Sequence, residues 1–456
     1  MLFLPAIQGQ YAVGVTTLVT PVQHPRPIGN AKVKRTAGKG GERVEPALFL
    51  EEVAYTMYYP ADVSSKGARK KGVDWFVRPL RESLNGFAQF LGMCYSPWLL
   101  WPIVYLFGSF IKIPAYPNVP LLNPRNAQAT ASEEPIGQWS LVIFSHGLGG
   151  SRTAYSQFCC RLAASGRVVL AVEHRDGTGT VSMPRSWHVG GNKSEPHTLL
   201  YIRESDIHQN PFPLRAEQLA FRHHEVYTTY NTFHNLIHND PHVKLETIDG
   251  GPFDKESWGV RGAPLVNCDK DIVLAGHSFG GCTVLSILST QPPEEYLPLP
   301  IERAIVLDPW LEPLPTPGPI PLDAIHAGNE FERWVSPHPR MLVINSEFFT
   351  LWKDHFTRLQ EIVKGWEPNG KSILTLVDSK HTSFSDFPIL PIFSSRISRR
   401  IFDTIANLSV SFLDKRLEDE LEHTITIKKE IKIIGVKKDG KPKRKLLGTP
   451  GAVIVD

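Results

Sequence analysis

Asp271-Ile-Val-Leu-Ala-Gly-His-Ser-Phe-Gly-Gly281 is the stretch on which the fold turns. A short apolar run, Ile272-Val-Leu-Ala275, ends in Gly276-His-Ser278-Phe-Gly280, and Gly281-Cys-Thr-Val-Leu-Ser-Ile-Leu288 then continues with helical character. Strand, sharp turn, helix is the pattern that lifts a serine hydroxyl clear of the backbone at the top of a sheet. Side chains at the flanking glycines would clash across so tight a bend. Gly-x-Ser-x-Gly alone occurs by chance in many chains, so its meaning comes from the strand before it and the helix after it. Ser278 is thereby the candidate nucleophile, against the plainer reading of a Gly-rich turn without chemistry.

Upstream, Trp139-Ser-Leu-Val-Ile-Phe144 is an apolar strand that runs directly into Ser145-His-Gly-Leu-Gly-Gly150. Its glycines let main-chain N–H groups approach a ligand. In serine hydrolases of this fold one such N–H joins that of the residue after the nucleophile to hold a developing oxyanion, which makes Leu148 and Phe279 the candidates, through backbone alone. His146 precedes the nucleophile and reads as structural. A helix from Ala154 to Ser165 and the strand Val168-Val-Leu-Ala-Val172 complete a βαβ unit that ends in the polar loop Glu173-His-Arg-Asp-Gly-Thr-Gly179.

Downstream, Arg303-Ala-Ile-Val-Leu-Asp308, Met341-Leu-Val-Ile-Asn-Ser-Glu347 and Ser372-Ile-Leu-Thr-Leu-Val377 are apolar runs that each lead into a polar residue. Parallel strands deliver catalytic side chains from their C-terminal ends in this way. The expectation is an α/β fold of the α/β-hydrolase type, with a mostly parallel central sheet flanked by helices. A serine hydroxyl is a poor nucleophile at neutral pH and needs a base oriented by a carboxylate, in the chain order Ser, acid, His. His381, just past the last run, fits the base. For the acid, strand order favours Glu347, whereas Leu307-Asp-Pro-Trp310 favours Asp308; Asp378 lies too near His381 in sequence.

The 456 residues carry a net charge of +3, which does not by itself point to a nucleic-acid partner. Five cysteines make no regular framework, and no zinc or calcium-loop spacing is present, so neither a metal nor another cofactor is expected. Met1-Leu-Phe-Leu-Pro-Ala-Ile-Gln8 lacks the basic start and apolar run of a signal peptide. The corresponding expectation is a cytoplasmic location with attachment to membranes.

From Ser83 to Ile111 no residue is charged, and the centre of this stretch approaches the length of a membrane span. Pro97 and Pro102 interrupt any single helix, while Tyr95, Trp98, Trp101 and Tyr105 are residues that favour a membrane interface. A span, a surface helix pair touching lipid and plain core all remain open for it. The aromatic, lipid-facing segment is set at residues 83–116, with Trp98, Trp101, Tyr105, Phe107 and Phe110 as its interface candidates. Residues 180–268 read as an insertion, in which Leu214 to Ile237 has helical spacing and a charged face of Arg215, Gln218, Arg222 and Glu225 that reads as solvated, with pairing to the Glu173-His-Arg loop as the alternative.

Taken together, Phe144-Ser-His-Gly-Leu-Gly149, Val172-Glu-His-Arg-Asp176, Gly276-His-Ser-Phe-Gly-Gly281, Leu307-Asp308 with Trp310, Asn345-Ser-Glu347 and the segment from His381 to Phe387 resemble the platelet-activating-factor acetylhydrolase family. These are the calcium-independent, lipoprotein-associated phospholipase A2-like enzymes and their intracellular relatives, and the absent signal peptide points to an intracellular member. The resemblance runs from about Tyr11 to Leu413. It implies hydrolysis of the sn-2 ester of glycerophospholipids with acetyl, short or oxidised acyl groups, by Ser278, Asp308 and His381 with the N–H groups of Leu148 and Phe279. It also implies that the stretch near Phe107-Gly-Ser-Phe110 docks on lipid.

The domain is accordingly set at 1–413, followed by a basic tail, 414–456, in which Glu422 to Ile434 alternates weakly like a strand and Lys437 to Lys445 is strongly basic; it reads as solvated, as a binder of anionic membranes or as a nuclear import signal. Two rival functions remain, the first using the same triad and the second working through the aromatic stretch and basic tail. One is a carboxylesterase or thioesterase acting on soluble esters, the other an inactive lipid-binding scaffold.

Overall fold

Val, Thr and Tyr fit the half-buried pleated surface of a strand, and the chain opens with two stretches rich in them. In the computed structural model, β1 (Val13–Pro27) pairs antiparallel with β2 (Phe49–Pro60), setting Val15 opposite Tyr58 and Val19 opposite Ala54. The structure describes residues 1–37, 41–64, 71–93, 101–127, 137–185, 188–189, 192–193, 197–208, 213–249, 251–260, 263–316, 318, 339–367 and 373–456. It divides into two units: Met1–Asp269 with Pro292–Leu299, and Lys270–Gln291 with Pro300–Asp456.

In the first unit, α1 (Leu80–Phe90) and α2 (Trp101–Leu106) follow the opening hairpin. Next come β3 (Trp139–Ser145), α3 (Ser156–Ala164) and β4 (Arg167–Glu173). β3 and β4 are parallel, as a helical crossover requires, and β4 pairs antiparallel with β2 on its other side. Every residue of α3 and β4 is buried, so these elements carry apolar runs rather than an alternating pattern. Lys32–Ala37 and Gly41–Pro46 pair antiparallel; Val33 packs into a cluster with Leu48, Leu50 and Phe221 that holds the ribbon down.

α4 (Leu214–Ile237) keeps the expected helical bounds but not the expected surroundings. Arg222 and Glu225 are fully buried rather than solvated. Arg222 donates through Nε to Asp176 at 2.8 Å, through one terminal nitrogen to the His146 carbonyl at 2.6 Å, and through the other to Thr178 Oγ1 at 2.6 Å. Glu225 accepts from the Arg175 N–H at 2.6 Å and meets His174 Nδ1 at 2.6 Å, while His174 Nε2 reaches Ser145 Oγ at 2.7 Å. Polar spacing on a helix looks the same whether its partner is water or another loop. Here the partner is the loop after β4, and a buried guanidinium is tolerable because it is paired with a carboxylate and hydrogen-bonded by several groups at once.

The second unit contains β5 (Ile272–His277), α5 (Phe279–Ser289), β6 (Ile301–Leu307), β7 (Arg340–Ser346), α6 (Lys353–Trp366), β8 (Ile373–Leu376) and α7 (Arg396–Leu413). β5, β6, β7 and β8 lie side by side in that order, all parallel. α6 buries Phe356, Leu359, Ile362, Val363 and Trp366, one stripe at helical spacing, and α7 buries Ile401, Phe402, Ile405, Leu408 and Phe412 in the same way. Ser395 caps α7 by accepting from the Ser398 N–H.

Beyond α7, where the sequence suggests a tail, β9 (Ile431–Val436) and β10 (Pro442–Leu446) form a hairpin, and β11 (Val453–Val455) pairs antiparallel with β8. Ala452, Val453 and Ile454 are buried. A β-branched triplet thus covers the edge of β8 that the parallel strands leave unpaired. Among the described residues no helix is long and apolar enough to cross a membrane.

His146 gives the first unit a testable acid response. Burial, and then the Arg222 guanidinium, lower its pKa to about 3, while an unfolded chain carries it near its usual value of about 6.5. The unfolded state therefore binds the extra proton between these values, and the contribution of His146 to stability is full above about pH 6.5 and is lost as pH falls toward 3. Urea midpoints for the parent and His146→Gln at pH 6.5 and 4.5 should show the parent losing about 2 kcal/mol more than the variant over that interval. Equal slopes would mean that His146 titrates normally.

Candidate active site

The turn between β5 and α5 has no room for side chains. A Cβ on Gly276 would lie 2.3 Å from the Gly280 carbonyl oxygen, and Ser278 itself sits at φ 57°, ψ −117°. Non-glycine residues rarely adopt such a conformation, which costs on the order of 1–3 kcal/mol. It is held by main-chain bonds on both sides: the Ser278 N–H donates to Leu307 O at 2.9 Å, and Ser278 O accepts from Cys282 and Trp310 N–H at 3.0 and 3.1 Å. Gly281 is needed for a second reason, because a Cβ there would come within 3.0 Å of Pro309.

The three expected side chains come together in the second unit. His381 Nε2 is 2.9 Å from Ser278 Oγ, and His381 Nδ1 is 2.7 Å from Asp308 Oδ2. Asp308 is fully buried just past the end of β6, at φ 44°, with its N–H donating to Ile344 O. Its carboxylate also accepts from the Ser346 N–H at Oδ1 and from Ser346 Oγ at Oδ2, both at 2.7 Å. With the Asn345 amide turned to give each of its atoms a complementary partner, its N–H donates to Oδ1 at 2.9 Å. Four donors around one carboxylate fix its plane, and with it the plane of the imidazole.

The His381 ring is further clamped by stacking. Phe349 lies 4.4 Å away and 12° from parallel, and His277 lies 4.6 Å away on a tilted ring. Burial, and then the charge on His381, hold His277 well below the ordinary histidine range, so it is neutral and adds no repulsion against an imidazolium at His381. Chemically, a serine hydroxyl, an imidazole able to take its proton and a carboxylate to orient that imidazole form a unit for acyl transfer.

Glu347, the other acid considered, is engaged elsewhere. Its carboxylate accepts from the N–H groups of Asp378 at 2.6 Å and Leu446 at 3.0 Å.

A family model described as platelet-activating factor acetylhydrolase, isoform II, matches residues 2–423. The chain belongs to this family. Among curated relatives, the platelet-activating factor acetylhydrolase of Bos taurus is 29% identical over 399 residues, covering 85% of this chain and 76% of that protein. That of Canis lupus familiaris is 29% identical over 335 residues, covering 73% of this chain and 62% of that protein. Among solved structures, a ferulic acid esterase from Streptomyces cinnamoneus aligns over 92% of this chain and 94% of its own, with a TM-score of 0.51 and 15% identity. That likeness speaks to the fold, which is of the α/β-hydrolase type with a mostly parallel sheet flanked by helices.

The remaining site candidates of this family member fall as follows. Phe279 is buried as the first residue of α5, and Leu148 is half-buried in the turn after β3. Next to Leu148, the Gly149 N–H donates to Thr178 O at 2.8 Å, and Gly149 has φ 68° with a Cβ position 2.4 Å from the Phe90 ring. His146 is buried and bonded within its own unit, with Nδ1 2.8 Å from the Gly147 carbonyl and Nε2 accepting from the His174 N–H. In the aromatic segment Trp101 is half-buried and stacked on Tyr105, and Tyr105, Leu106, Phe107 and Phe110 are exposed. Trp98 lies outside the described residues.

Ser346 and Phe349 were not singled out from the sequence, although Ser346 stands inside Asn345-Ser-Glu347. A strand ending in Asn-Ser beside a buried aspartate is the available signal, since both can donate to a carboxylate.

The two acids can be separated by isosteric amides. Asp308→Asn should lower kcat/KM by about 10³–10⁴-fold, because an amide can hold the imidazole in the wrong tautomer. Glu347→Gln should leave kcat/KM within about tenfold while lowering the urea midpoint, since it weakens two buried hydrogen bonds. Ester turnover and denaturation of both variants are the measurements, and the reverse ranking would reassign the acid.

Proposed function

We propose that this carboxylic ester hydrolase cleaves the sn-2 acyl ester of glycerophospholipids, with acetyl, short or oxidised acyl groups preferred, by a two-step acyl transfer at Ser278. The observation that carries the reading is the continuous chain of hydrogen bonds from Ser278 through His381 to Asp308, at 2.9 and 2.7 Å, in a member of the platelet-activating factor acetylhydrolase family. Ser278 Oγ attacks the ester carbonyl as His381 Nε2 takes its proton, and Asp308 steadies the imidazolium. The main-chain N–H groups of Phe279 and Leu148 bind the tetrahedral oxyanion. His381 then gives the proton to the departing lysophospholipid oxygen, and a water activated by the same imidazole releases the acyl group. Nucleophile, base and oxyanion donors are all protein groups, so the reaction asks for no metal or other cofactor.

Each unit exposes apolar groups that suit a lipid. Phe348 is 64% exposed on the same helical turn that carries Phe349 against His381, and Trp352 is 42% exposed beside it. In the first unit Tyr105, Leu106, Phe107 and Phe110 present a run of large apolar side chains to solvent. Aromatic and aliphatic groups of this kind lodge at the headgroup boundary and let a peripheral enzyme draw lipid sideways from a bilayer. Attachment to a membrane surface is therefore part of the proposal.

In EDTA, the parent should release acetate rapidly from a 2-acetyl phosphatidylcholine and long-chain fatty acid slowly from the matched diacyl lipid. Ser278→Ala should reduce acetate release by about four orders of magnitude or more. Turnover of water-soluble esters with none from either lipid would instead make the protein a general esterase, and a chelator-sensitive reaction would overturn the metal-free mechanism. Tyr105→Ser, Phe107→Ser and Phe110→Ser combined should slow hydrolysis of vesicle lipid by about tenfold or more and spare a monomeric ester. Equal loss on both substrates would remove the segment from interfacial binding.

A further inference from the structure

The charge of this chain is concentrated at one place. Between Lys428 and Lys445 stand nine basic residues against Glu430 and Asp439, a net charge of +7 in a protein whose total is +3, so the rest of the chain is net acidic. This stretch is the hairpin of β9 and β10, with Ile431 opposite Leu446 and Val436 opposite Pro442. Lys429 is held by Asp456 at 2.7 Å and Lys445 by Asp378 at 3.4 Å. The other seven cations form no ion pair among the described residues.

Between the cations, β9 exposes what a solvated strand would bury or replace. Ile433 is 64% and Val436 71% exposed, and Ile431 and Ile434 are about half exposed as well. A register shift between Ile433 and Gly435 places an extra residue in β9, which breaks the strict in-and-out alternation. The hairpin thus presents aliphatic side chains and ammonium groups together.

The hairpin is also rigidly rooted beside the site. At its base Leu446 is buried, and its N–H donates to Glu347 Oε1 while the Asp378 N–H donates to Oε2 of the same carboxylate. Asp378 begins the loop that carries His381, and Lys445 pairs with its side chain. Past β10, β11 is paired along β8, the strand that leads into that loop.

We infer that the β9–β10 hairpin is a docking surface for an anionic lipid bilayer, holding the Ser278 site against the membrane; the inference deepens the phospholipid reading and rests on it. Unpaired cations match the negative potential of phosphatidylserine- or phosphoinositide-bearing leaflets, and each adds favourable energy only near such a surface. The isoleucines and Val436 decide between lipid and nucleic acid. Aliphatic side chains gain from entering the headgroup boundary, but they offer no donor for a base edge and no planar face on which a base can stack.

The test uses full-length Ser278→Ala protein, so that lipid is bound but not consumed, in co-sedimentation with vesicles of phosphatidylcholine alone or with about 30 mol% phosphatidylserine. Binding should be at least about tenfold tighter to the anionic vesicles and should weaken as salt rises from about 0.1 to about 0.5 M. Lys437→Glu with Lys438→Glu, and separately Ile433→Ser with Val436→Ser, should each reduce that binding by about tenfold or more. The same substitutions in the active protein should leave turnover of a monomeric soluble ester within about twofold, which shows that the fold and site are intact. Equal binding to both vesicle types, or binding indifferent to both pairs of substitutions, would overturn the inference. So would hairpin-dependent binding of duplex DNA or RNA without vesicle binding. Acetate release from monomeric 2-acetyl lipid by the parent reports on the phospholipid reading separately, so failure of docking and failure of that reading give different results.

Discussion

The strained turn at Ser278 is the constraint from which the geometry of the second unit follows. To hold a serine at φ 57° the chain needs Gly276 against the Gly280 carbonyl, and it needs main-chain partners for Ser278 on either side. Those partners come from β6 and from the segment after it, Leu307 and Trp310. The bonds that tolerate the strain therefore also fix where β6 ends, and Asp308 stands just past that end. Ser278 and Asp308 are positioned by one set of main-chain bonds. A strained residue persists only where its surroundings over-determine it, and here those surroundings include the turn that carries Asp308.

The first unit meets a different demand with the same economy of elements. The end of its β4 and the loop that follows carry Glu173, His174, Arg175 and Asp176, all buried. Buried polar and charged groups need partners, and no single partner would satisfy all four. α4 supplies Arg222 and Glu225 one turn apart, and Arg152 pairs with Glu173. Arg222 reaches both Asp176 on this loop and the His146 carbonyl beside Leu148. The glycine turn after β3 is thus tied to the loop after β4 through one guanidinium.

How much of this could be read beforehand depended on whether the signal was local. The elbow, the apolar strands and the helix from Leu214 to Ile237 are each specified by consecutive residues, and the bounds of that helix were legible to the residue. The choice between Asp308 and Glu347 was not legible from spacing alone, because both follow strands of the same sheet. It turns on which carboxylate faces His381, a matter of turn geometry after β6 and β7. The buried face of α4 was legible only as the less favoured of two readings for a related reason: polar periodicity gives the direction of a face but not what covers it. Ser346 and Phe349 went unremarked because orienting a carboxylate or stacking on an imidazole leaves no pattern in a single sequence.

The C-terminal segment shows the same limit and what lies behind it. Basic composition after Lys428 dominates the sequence and suggests a solvated tail, yet three short apolar residues, Val453-Ile-Val455, suffice to return the chain to the sheet edge. Once β11 is paired with β8, the intervening residues form a closed excursion with both ends fixed, and pairing β9 with β10 satisfies their backbone at little further entropic cost. Glu347 then has a role that its place on the sheet did not reveal. Its two oxygens join the start of the His381 loop to the foot of the hairpin. A carboxylate that faces two main-chain N–H groups rather than His381 is thereby the fastening between the loop that carries His381 and a strongly basic hairpin.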